Sequence, residues 1–106
     1  MVATPVALGL GYSARSLSEW ETVHRALAAF PVLAPTPATH EVAVGLQRAL
    51  WAAGKVRAAG AFDTLVAALA VEHGAVVVHD DRDYEHLAGE DPRLRQVWVA
   101  PPESLD

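Results

Sequence analysis

Four aspartates hold most of the chemistry that this sequence offers. Asp80, Asp81 and Asp83 stand almost together, and Asp63 lies one element upstream. Crowded carboxylates repel one another, and a divalent cation offsets that repulsion. An all-oxygen donor set in a chain without cysteine favours Mg2+ over Zn2+, with Mn2+ as the alternative. Such a cation holds phosphates and activates water for phosphodiester hydrolysis. Plainer roles compete for the same residues. Asp63 in a first helical turn would complement the helix dipole, and Asp81 or Asp83 would serve as an N-cap.

The elements around these acids decide whether they meet. Residues 62–73 (FDTLVAALAVEH) are apolar almost all round, which predicts a buried helix. Gly74 ends it. Residues 75–79 (AVVVH) form a short valine-rich run that suits a strand covered on both faces, as in a parallel sheet. The helix spans about 18 Å and the strand about 16 Å. Folded back on each other, they bring the helix start beside the strand end, and Asp63 near Asp80, Asp81 and Asp83. That place is the carboxyl edge of a parallel sheet, where open α/β folds put their ligands.

The rest of the chain supplies a frame. Thr4-Pro5 reads as an N-cap and first helical residue of a short helix reaching Ala14. Ser16 with Glu19, or Ser18 with Glu21, opens a second helix that runs to Phe30 before Pro31. Thr36-Pro37 repeats the cap logic, and Val42, Leu46, Ala49, Leu50 and Ala53 form one apolar stripe ending at Gly54. A basic loop (55–60), a short helix after the acidic turn, a last strand near Gln96–Val99 and a closing Pro101-Pro102 complete the reading. Helices alternating with buried strands make the fold α/β.

Composition narrows the function classes. Hydrophobic residues make up 52% of 106, enough to form one core. The absence of cysteine excludes disulfide scaffolds and thiolate chemistry. No apolar run is long enough to span a membrane, and no secretory leader is visible, so a cytoplasmic protein is expected. The net charge of −5 is unlike that of a general nucleic-acid binder. Its distribution is uneven: residues 1–58 hold three acids and five bases, +2, whereas residues 59–106 hold ten acids and three bases, −7. The histidines lie on separate elements, and only His79 and His86 flank the acidic turn; they read as surface groups or as supports behind the acids. A phospho-receiver domain also has an acid pair after a strand, but it needs a lysine at a later strand end, and the sole lysine, Lys55, precedes the apolar helix.

The stretch AFDTLVAALAVEHGAVVVHDDRDYEHLA (61–88) resembles the second half of a PIN domain, above all the VapC ribonuclease toxins of bacterial toxin–antitoxin modules. An aspartate opens an apolar helix, followed by a glycine, a valine-rich strand and a D-x-D-aromatic turn: Asp63, Gly74, 75–79 and Asp81 to Tyr84. GYSARS (11–16) is similar to the segment after the family's first crossover, and VWVAPPESL (97–105) to its last strand and tail. The resemblance covers residues 1–106 as one PIN-like domain. It implies a three-layer fold, a parallel sheet flanked by helices, and a Mg2+-dependent ribonuclease.

Carried over by position, the resemblance makes Asp63 and Asp81 catalytic, and Asp63, Asp81 and Asp83 metal ligands. It also implies RNA as substrate, a cognate antitoxin and a homodimer. Two departures stand out. The family's first strand, central in the sheet and ending in an aspartate, has no counterpart here, so the domain reads as incomplete at its N-terminus. The A-L-x-x-x-Y-S-A-R frame puts Gly9 where a second acid, a glutamate, is expected. Two of four acids are thus absent, which predicts weak activity and leaves a second reading: a catalytically silent PIN remnant that binds the antitoxin. A missing central strand would also bare apolar surface worth about 25 cal/mol per Å2, a heavy loss against a total stability of about 5–15 kcal/mol.

Overall fold

Proline and glycine positions set the element boundaries, and the computed structural model describes residues 1–99. In chain order the elements are β1 (Val2–Ala3), α1 (Thr4–Tyr12), α2 (Leu17–Leu27), β2 (Val32–Leu33), α3 (Pro37–Ala52), α4 (Ala61–His73), β3 (Val76–His79), α5 (Asp83–Glu90) and β4 (Arg95–Trp98). They group into two compact units that divide after Pro35. The expected Pro101-Pro102 closure and the end of the 97–105 tail lie outside the described residues.

In the first unit β1 and β2 pair in parallel, Val2 beside Val32 and Ala3 beside Leu33. This pairing overrides the expected cap. Extended backbone persists through Ala3, which takes the cap position, and Thr4 is already helical. The Thr4 hydroxyl instead donates to the Leu33 carbonyl at 3.4 Å, tying α1 to β2. Of the two candidate boxes for α2, Ser16 is the cap: its hydroxyl accepts from the Glu19 N–H at 3.1 Å. The helix ends at Leu27 and not Phe30. The Ala29 and Phe30 N–H groups turn to Ala26 O and Leu27 O, a tighter winding that finishes the helix before Pro31. Trp20 stacks on His24 with ring centroids 4.1 Å apart. A Cβ at position 11 would lie 2.7 Å from His24 Nε2, so the α1–α2 packing requires Gly11.

In the second unit Thr36 caps α3 with Pro37 in its first turn, as expected, and Thr36 and Thr39 also bond reciprocally there. Thr39 is fully buried and donates to Glu72 Oε1 at 2.6 Å, which fastens the start of α3 to the end of α4. Leu46 and Leu50 of the apolar stripe are buried, with Val66, Leu69, Leu87 and Leu94. Ala53, expected in the stripe, is exposed because it is the C-cap. Gly54 and Gly74 adopt φ of +77° and +64°, the left-handed geometry that ends α3 and α4.

Parallel strands β3 and β4 are joined through α5, with Val77 beside Gln96 and His79 beside Trp98. The α/β class and parallel pairing thus agree with expectation. Among the described residues the strands pair within their own units, β1 with β2 and β3 with β4. In contrast to expectation, β3 is covered on one face only: Val77 and His79 point inward, while Val76 and Val78 are 44% and 67% exposed. With β4 as its only neighbour among the described residues, β3 alternates as a half-buried strand does.

Candidate metal centre

Each acid is placed by its own element. Asp63 lies in the first turn of α4, which starts after Gly60. Asp81 lies in the turn leaving β3, and Asp83 is the first residue of α5. The antiparallel course of α4 and β3 returns the chain to the same place. Asp63, Asp81 and Asp83 each offer a carboxylate oxygen, and the three atoms lie within 4.8 Å of one another.

Asp80 departs from the expectation. Its Oδ1 accepts from Trp98 Nε1 at 3.0 Å, and it is not part of the cluster. Successive residues leaving a strand point to opposite sides, and the indole of β4 takes Asp80 on the other side. The plainer roles also have substance. Asp81 Oδ1 accepts from the Asp83 N–H at 2.9 Å, so it satisfies one free amide at the start of α5. Arg82, between them, occupies the cap position without a side-chain bond.

Three further groups hold the acids in position. The Tyr84 hydroxyl donates to Asp63 Oδ1 at 3.0 Å. The Gly60 N–H donates to Asp83 Oδ2 at 3.1 Å, bringing the α4 cap residue against α5. The Asp81 N–H donates to His79 Nδ1 at 3.0 Å. The sequence singled out none of these contacts. Tyr84 was visible as the aromatic of the D-x-D turn, and His79 only as a flanking residue; no local pattern identifies Gly60.

The electrostatics follow from this crowding. The Asp63 carboxyl is pushed from 3.8 up to about 7, first by burial and then by its contact with Asp83 and the charge of Asp81, partly countered by the Tyr84 hydroxyl. Burial first, and then the charge of Asp63 and its contact with the hydroxyl, raise the Tyr84 phenol, which therefore remains a donor. Without a cation, the cluster relieves its repulsion by keeping a proton on Asp63 near neutrality. With Mg–O distances of about 2.0–2.1 Å, opposite ligands lie about 4 Å apart. Three carboxylate oxygens within 4.8 Å need little movement to share such an ion. The donor set therefore fits Mg2+ or Mn2+.

Comparison with known proteins gives the same frame. The PIN domain family matches residues 2–90, across both units. The chain is similar to the ribonuclease VapC51 of Mycobacterium tuberculosis, 39% identical over 99 residues, covering 93% of this chain and 71% of that protein. With its α/β order, parallel strands and matched length, the chain belongs to the PIN domain family and is VapC-like.

Proposed function

We propose that this chain is a ribonuclease toxin of the VapC type whose site takes Mg2+, or Mn2+, at Asp63, Asp81 and Asp83. The observation that carries this reading is the convergence of three carboxylates from two helices and a strand-end turn within 4.8 Å. When bound, the cation lowers the pKa of a water and neutralises the scissile phosphate. The chain's own groups prepare the place. Asp63 releases its proton as it becomes a ligand, the Tyr84 hydroxyl holds its Oδ1, and the Gly60 N–H orients Asp83. Asp63 and Asp81 are the residues assigned to catalysis.

RNA, a cognate antitoxin and a second copy of the chain are the partners of this reading, and the cytoplasm is its compartment. No described helix is long and apolar enough to cross a membrane, and the name of the mycobacterial relative supports the ribonuclease assignment. Residues 1–106 are treated in this reading as one PIN-type domain, with the family match over residues 2–90 as its support. Mg2+-dependent cleavage of RNA tests the proposal. Wild-type chain should cleave slowly, and Asp63→Asn should abolish both cleavage and Mn2+ binding. Equal cleavage by the two proteins would overturn it.

Gly9 favours a second reading, because it lies in the frame where a carboxylate is expected. In that reading the chain is a silent module that captures the antitoxin. Antitoxin retained in a pull-down, with no cleavage at any Mg2+ concentration, would select it.

A further inference from the structure

We propose that His79 is a positioning residue for the cation site, acting through its Nδ1 on the backbone of Asp81; this rests on the metal-site reading above. His79 is the last residue of β3 and is only 8% exposed. Its Nδ1 accepts from the Asp81 N–H at 3.0 Å, and its Nε2 lies 2.6 Å from Gln96 Oε1 on β4. The two contacts together define the tautomer. Nδ1 must present a lone pair to the amide, so Nε2 carries the hydrogen and donates to the Gln96 carbonyl oxygen. The ring is flanked by Tyr84 at 4.7 Å and Trp98 at 6.0 Å between centroids. Its backbone carbonyl also accepts from Val99 N–H at 2.9 Å.

A bond from a side chain to the N–H two residues on has the geometry of an Asx turn, here made by an imidazole. It fixes where the backbone bends, and so where the Asp81 carboxylate points. Asp81 Oδ1 in turn accepts from the Asp83 N–H. One imidazole thereby sets the backbone at Asp81 and, through the Asp81 carboxylate, engages the Asp83 amide at the start of α5. Tyr84, packed on that imidazole, holds Asp63 by its hydroxyl. Groups that orient metal ligands in this way typically change affinity by about 10–100-fold when removed.

Two substitutions separate aiming from packing. His79→Asn keeps an acceptor for the Asp81 N–H and discards the ring. His79→Phe keeps a ring between Tyr84 and Trp98 and discards the acceptor. Mn2+ affinity of the full chain at constant pH should fall about tenfold or more in His79→Phe and stay close to wild type in His79→Asn. The order of thermal stability should be the reverse. Faster amide exchange at Asp81 should accompany the loss in His79→Phe. In wild type, 15N spectra should show an unprotonated Nδ1. Wild-type affinity in His79→Phe, or an equal loss in His79→Asn, would overturn the proposal. A wild-type chain that binds no Mn2+ would instead remove the metal-site reading, and the positioning role with it.

Discussion

Asp63 concentrates the charge problem of the site in a single carboxyl. Its pKa of about 7 lies above the ordinary 3.8, so the folded chain holds that proton more tightly than the unfolded chain does. The resulting stabilisation is complete below the ordinary value and is lost as pH rises towards 7. Metal-free protein should therefore melt at progressively lower temperature as pH is raised from 5 to 8. Mg2+ should restore more of the melting temperature at pH 8 than at pH 5, and thermal melts with and without chelator would read both effects. Asp63→Asn removes the repelled charge, so it should raise the melting temperature of metal-free protein at pH 8 while destroying cation binding. Tyr84→Phe acts in the opposite sense on the same group. It deletes the one contact that lowers the Asp63 pKa, so carboxyl 13C titration should show Asp63 protonated to still higher pH, with weaker Mn2+ binding at neutrality.

At the scale of elements, polar contacts at helix ends anchor the acids' frame. Thr39 joins the N-terminal box of α3 to Glu72 near the end of α4. Thr39→Val keeps the volume but leaves the Thr36 N–H and Glu72 short of a partner. About 1–3 kcal/mol should be lost, read as a lower urea midpoint with an unchanged slope. In the first unit, Gly11→Ala sets a methyl carbon 2.7 Å from the His24 ring. It should cost about 1–3 kcal/mol, as overpacking of a close helix pair does, and would appear as disturbed Trp20 fluorescence. Such ends were legible in sequence where the signal is local: Ser16, Thr36-Pro37, Gly54 and Gly74 all mark boundaries. They were not legible where a partner strand intervenes, as Thr4 illustrates by giving up the cap to bond Leu33.

Across the whole molecule, charge and apolar surface are both unevenly spread. The chain's −5 arises in its second half, which also holds the three converging carboxylates. A divalent ion held there would cancel part of that excess, so the overall sign is no argument against a polyanionic substrate. The outward side of the β3–β4 pair carries Val76, Val78 and Val97, all exposed. Val78→Thr should leave the urea midpoint nearly unchanged, within about 0.5 kcal/mol. It should also raise the concentration at which light scattering first appears, because a contiguous apolar face favours association.

The amino-acid sequence by itself determined the α/β order, the apolar helix of residues 62–73, its glycine stop and the acids available for chemistry. These are local properties, carried by periodicity, caps and side-chain type over a few consecutive residues. Helix and strand lengths also brought Asp63 near the acids after β3, and tertiary structure alone decided that Asp80 stands apart from them. The turn after β3 sends Asp81 and Asp83 to Asp63 and leaves Asp80 with Trp98. It also decided that β3 is bare on one face, and that Gly60, Tyr84, His79 and Gln96 stand around the cluster. Each of those contacts depends on where separate segments pack and on which way a side chain leaves its strand or helix. Hydrogen bonds reach only about 3 Å, so a small change in packing would choose different partners from the same residues.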